Sequence, residues 1–164
     1  MELLLRKNWI VPIVVDGLAY ISVYFIVVFS HTTAIPLYYL EPMRLAVLVV
    51  LVYTNRLNAL YIACTLPFFN YVIAGHPLIL KTAIISIELS LMVLMISYIW
   101  RVVNIPFLGI LISIIVSKLF YYLLKYVLIT SGFIQGNLLS TSLSVQVPTI
   151  VITCFFFSAL EKRR

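Results

Sequence analysis

With 164 residues, 64% of them hydrophobic and 10% charged, and a mean hydropathy of +1.18, the chain has too few ionisable side chains to clothe a water-soluble core. A soluble fold is excluded, as is an aqueous catalytic or nucleotide-binding domain, and lipid is the expected solvent for most of the surface. The net charge of +6 then reads as a membrane-topology signal and not as a footprint for nucleic acid.

The first apolar run, Trp9 to Phe29, follows Arg6-Lys7 with no small-residue cleavage site, which marks a retained span and not a signal peptide. A polar stretch through His31, Pro36 and Tyr38-Tyr39 leads to Glu41-Pro42 and a second run, Met43 to Tyr53. Eleven residues at about 1.5 Å each fall short of the hydrocarbon core. This helix therefore either tilts little with its Arg44 end snorkelling, or is a half-helix beside a cavity. Leu57 to Ala74 form the third span, interrupted by Pro67 and closed by Gly75-His76-Pro77. The fourth, Leu78 to Trp100, ends in a rim of Tyr98, Trp100 and Arg101 typical of a membrane interface. Phe107 to Ile129 make the fifth span; an uncharged loop, Thr130 to Gln146, follows it, and Pro148 opens the sixth, Val147 to Leu160.

Loop charge tests this count. Arg6, Lys7, Arg56, Arg101 and Lys162-Arg163-Arg164 all fall on one side of the alternation, as cytoplasmic segments should. The expected fold is an all-α integral membrane protein: one domain over residues 1–164, a bundle of about six transmembrane helices with both termini cytoplasmic.

The charges inside the spans need explanation, since each costs at least ~2–3 kcal/mol at mid-membrane unless paired, hydrated or snorkelled. Asp16, Glu88, Lys118 and Lys125 lie well within apolar runs, and Arg44 and Lys81 just inside the ends of theirs. Lys81 and Glu88 are seven residues apart, as are Lys118 and Lys125, so each pair shares one helix face. Two readings stand side by side. In one, Glu88 is neutralised by Lys118 or Lys125, while Arg44 and Lys81 snorkel outward. In the other, the cations cluster at the outer half of the bundle and receive an anionic group, a carboxylate or phosphate. The candidate ligand-binding residues are then Arg44, Asn70, His76, Lys81, Glu88, Lys118, Tyr122, Lys125 and Gln146, with Gln135 as a possible neighbour and Tyr38 and Tyr39 as a stacking wall. Asp16, Gly17 and Ala19 on span one, with Ser22 one turn further on, are small or polar; they pack either against a neighbouring span or against another membrane subunit.

Enzymatic constellations are missing: no GxSxG, no HExxH, no paired acids in one segment and no glycine-rich phosphate loop. His31 and His76 have no acidic cluster nearby to make a metal site, and no cofactor is expected. Cys64 and Cys154 read as isolated apolar thiols.

In its size, its long first outer loop, the stretch from Leu66-Pro67 to Gly75-His76-Pro77, and Gln146-Val147-Pro148, the chain resembles the substrate-binding S component of energy-coupling factor (ECF) vitamin transporters. The resemblance implies a prokaryotic plasma-membrane protein. It would capture a vitamin or related micronutrient at the outer face, under the first and third loops. A membrane coupling subunit and cytoplasmic ATPases would be its partners. The family's Ala-x-x-x-Ala docking patch has its nearest counterpart here around Gly17 to Ser22, with Ala19 and Val23 at the four-residue interval. An alternative resemblance is to MreD-type scaffold proteins of cell-shape and cell-wall synthesis, which transport nothing. A ligand-binding protein should hold Arg44, Lys81 and Lys125 around a cavity, whereas a scaffold should have a filled bundle and an apolar lateral face.

Overall fold

The computed structural model describes residues 10–33, 40–75, 77–100, 105–134, 138 and 143–162; among these there are six helices and no strand. The helices are α1 (Ile10–Thr33), α2 (Pro42–Tyr53), α3 (Arg56–Ala74), α4 (Ile79–Ile99), α5 (Pro106–Thr130) and α6 (Leu143–Lys162). By length and composition α1, α3, α4 and α5 can each cross a membrane, while the apolar stretches of α2 and α6 are shorter. The described residues thus form an all-helical structure with four helices long and apolar enough to cross a membrane.

Local chemistry explains both ends of α3. The Asn55 side chain accepts a hydrogen bond from the Asn58 backbone N–H at 2.9 Å and starts α3. Gly75, at φ 63°, ends it with its N–H on the Tyr71 carbonyl. The start of α6 is a correction: the helix begins at Leu143, so Pro148 and Gln146 lie inside it and not at its edge. Membrane helices accept an internal proline wherever neighbouring groups satisfy the backbone it frees, so Pro148 does not mark an N-terminus. Pro67 in α3 shows how this is done. Its missing N–H would have bonded the Ala63 carbonyl, and the Ser86 hydroxyl of α4 instead reaches the carbonyls of Ala63 (3.5 Å) and Cys64 (3.1 Å).

The shortest helix is the innermost. α2 packs against α1, α3, α4 and α6, and most of its residues are buried. Val47, Leu48 and Val50 share one apolar cluster with Ile62 and Leu66 of α3, Met92 and Ile96 of α4, Ile110 and Ile114 of α5, and Phe157 of α6. Twelve residues rise only about 18 Å, well short of a ~30 Å hydrocarbon core, so the axis of the bundle is left unfilled beyond one end of α2.

α1 is held to α3 by polar contacts. The Asn58 amide donates to Asp16 at 2.6 Å, the Tyr20 and Thr65 hydroxyls are 2.5 Å apart, and the Tyr20 ring meets Phe69 edge-on at 4.8 Å. Ala19 and Val23 are buried in the chain's own core, whereas a Cβ added to Gly17 would meet nothing within 4 Å. Of Asp16, Gly17, Ala19 and Val23, the positions named for docking on span one, two therefore face inward and a third is tied to Asn58. The outward face of α1 consists instead of large apolar residues such as Ile13, Leu18, Ile21 and Phe25.

Candidate functional site

The space left beyond α2 is a cavity of about 630 Å³. It lies where α1, α3 and α5 run toward their ends and α2, α4 and α6 begin. Ser30 comes from α1, Glu41 and Arg44 from the start of α2, Asn70 and Ala74 from α3, Lys81 and Glu88 from α4, Lys118, Tyr121 and Tyr122 from α5, and Gln146 from α6. Helical spacing accounts for the convergence. Lys81, Ile85 and Glu88 are four and three residues apart on one face of α4, and Lys118 and Tyr122 are one turn apart on α5. Asn70 follows Pro67 by less than one turn and is 6% exposed.

A continuous polar network binds these helices together. The Arg44 guanidinium, itself 5% exposed, donates from one terminal nitrogen to Glu41 and from the other to Glu88. The Lys118 ammonium pairs with the second oxygen of Glu41 and also donates to Gln146 Oε1 at 3.1 Å. The Tyr122 hydroxyl donates to the same Gln146 oxygen at 3.0 Å. Starting from α4, the chain of partners runs Glu88, Arg44, Glu41, Lys118, Gln146, Tyr122. It ties α2, α4, α5 and α6 together around the cavity. Buried ions this close in a low-dielectric setting are tolerable only as such a mutually paired set.

Seven of the nine residues named from the sequence as ligand-binding line this one cavity: Arg44, Asn70, Lys81, Glu88, Lys118, Tyr122 and Gln146. Lys125 does not line it. Its ammonium, 3% exposed, donates to the Leu138 carbonyl at 2.7 Å and so holds Leu138 to α5. His76, and likewise Tyr38, Tyr39 and Gln135, lie outside the described residues. Two pairings differ from expectation. Glu88 takes Arg44 as its partner and not Lys118 or Lys125, and Arg44 points into the bundle instead of snorkelling to its edge. With α2 at the centre of the bundle, Arg44 has no short route to an interface, and two carboxylates lie within reach.

Glu41 is the residue that sequence reading missed. In the sequence it only ends the polar stretch ahead of Pro42, yet it bridges Arg44 and Lys118. Among the described residues it is the one non-glycine at positive φ (51°). That left-handed geometry costs of the order of 1 kcal/mol and turns the side chain back toward the first turn of α2. The available signal was an acid three residues ahead of an intramembrane arginine, the spacing of a helical ion pair.

A second hollow, apolar throughout apart from Ser22 and the Tyr53 hydroxyl, runs between α1 and α2 beside Leu18, Leu45, Val49 and Tyr53. Among the described residues no three His, Cys, Asp or Glu side chains come together as metal ligands would. In comparisons with known proteins, no protein-family model matches the chain, and neither a curated protein nor a solved structure matches it.

Proposed function

We propose that the chain is a membrane-embedded ligand-capturing protein that works as the S component of an ECF-type importer does, holding a vitamin-like small molecule in the cavity beyond α2. The observation that carries this reading is the cavity itself. Its volume falls within the ~300–1,000 Å³ common for small-molecule sites, and convergent polar groups from six helices surround it. In this reading the chain passes the membrane six times, with the α2 helix covering only part of the hydrocarbon core, and both chain ends are cytoplasmic. Arg56 and Arg101 are then on the inner side, and the cavity opens outward. Release to the inside would rest on a coupling subunit and ATPases.

Purification in mild detergent followed by native mass spectrometry tests the proposal. A small molecule should travel with the protein and be released on denaturation, and Gln146→Leu, which removes the acceptor shared by Lys118 and Tyr122, should lower its occupancy about tenfold or more. A chain that never carries a small molecule, in any preparation, and imports no solute with partner subunits present would overturn it.

An MreD-like scaffold is the second reading, favoured by the apolar hollow between α1 and α2 and the large apolar side chains on the outer face of α1. Its signature in the same experiment is a membrane-protein partner retained without any small molecule.

A further inference from the structure

We propose that the ligand carries one net negative charge, as a carboxylate, and that Lys81 is its counter-ion; this rests on the reading of the cavity as a ligand site. Five ionisable side chains line the cavity among the described residues, two acids and three bases. Four of them compensate one another. Glu41 and Glu88 are paired with Arg44 and Lys118, in contacts that consume both oxygens of Glu41 and both terminal nitrogens of Arg44. Lys81 is the remainder: it faces the cavity from the first turn of α4, and it makes no ion pair or hydrogen bond to any described residue. The Lys125 ammonium is not on the cavity lining and donates to the Leu138 carbonyl, so it does not enter this balance.

A cation in this setting is unfavourable alone and favourable beside one anion. A neutral ligand would leave Lys81 without a counter-ion, and a doubly charged phosphate would replace a surplus of one sign with a surplus of the other. A monocarboxylate balances the cavity. Tyr121 and Tyr122, edge-to-face at 5.4 Å on the α5 wall, offer an apolar and aromatic surface to the rest of the molecule.

The test reads the potential inside the cavity without knowing the ligand. In the full-length protein in lipid nanodiscs, Cys64→Ser removes the exposed native thiol, and Cys154 is fully buried. Ala74→Cys then introduces one thiol facing the cavity. Its alkylation is timed with two methanethiosulfonate reagents of similar size, one a sulfonate and one a quaternary ammonium. The sulfonate should react about tenfold faster. Lys81→Gln should abolish that preference, Lys81→Arg should keep it, and Glu41→Gln, which strips one acid from the balanced set, should raise it. A preference unchanged by Lys81→Gln, absent from the start, or not raised by Glu41→Gln overturns the inference. The two readings fail separately. Loss of preference in Lys81→Gln, in a chain that captures no solute, sinks the importer alone; solute capture with an unaltered preference sinks the Lys81 assignment alone.

Discussion

Around the second half of α2, Val47, Leu48 and Val50 share a solid apolar cluster with Ile62, Met92, Ile96 and Ile114. Around its first turn, Arg44 meets two carboxylates at the wall of a cavity of about 630 Å³. One helix therefore has two environments that differ in kind. In lipid, apolar side chains gain little by leaving one hydrocarbon for another, so the packed half is held by close contact and the cavity half by ion pairs and hydrogen bonds. The contrast teaches where this protein can change shape or admit a guest without losing its fold. Toward α3, α4 and α5 the packed half is closed, with its open apolar hollow on the α1 side, and the cavity half is stapled at a few named atoms around space that is already open.

The largest expected effect tests that staple. Arg44→Met leaves Glu88 buried without its partner and removes one of the two cations on Glu41, so unfolding in a mixed detergent series should move by about 3–5 kcal/mol. A change below about 1 kcal/mol would mean that water reaches Glu88, and that the cavity half is hydrated and not held by its ion pairs. Ile96→Ala probes the other half. In water a buried truncation of this size costs about 2–5 kcal/mol; in lipid the transfer part largely falls away, and about 2 kcal/mol should remain from the cavity left behind. Its anion preference, measured at the introduced thiol described above, should match the parent's. A variant that lost both stability and preference would show that the two halves are not independent.

How much of this was legible beforehand follows from the physics of each element. Long apolar runs have one available structure in a bilayer, so α1, α3, α4 and α5 could be read from hydropathy to within a few residues. Polar residues inside such runs are costly enough to advertise themselves, and for that reason Arg44, Asn70, Lys81, Glu88, Lys118, Tyr122 and Gln146 were legible as a group. Their pairing was not. Which carboxylate meets which cation depends on how α2 sits among its neighbours, and a short helix carries no sequence mark saying that it is central. Glu41 escaped notice because it lies outside the apolar runs, where an acid is unremarked. Lys125 was legible as unusual but not as an anchor, since its acceptor is a backbone carbonyl, and every residue type has one.

The smallest effect concerns the proline in α3, where the packed half depends on a single hydroxyl. Pro67 leaves the Ala63 carbonyl without its helical donor, and Ser86 Oγ, at 3.5 Å from that oxygen and 3.1 Å from the Cys64 carbonyl, is the group from α4 that compensates. Polar contacts between membrane helices contribute about 0.6 kcal/mol on average and at most about 1.7. Ser86→Ala should therefore lower stability by about 1 kcal/mol, and Pro67→Ala in the same background should restore most of that loss, because the alanine N–H re-forms the internal bond to Ala63. The double-mutant cycle measured by reversible unfolding reads the coupling directly. Additive costs would mean that Ser86 packs against α3 without serving its broken turn, and the tolerance of Pro67 would then have to come from the helix alone.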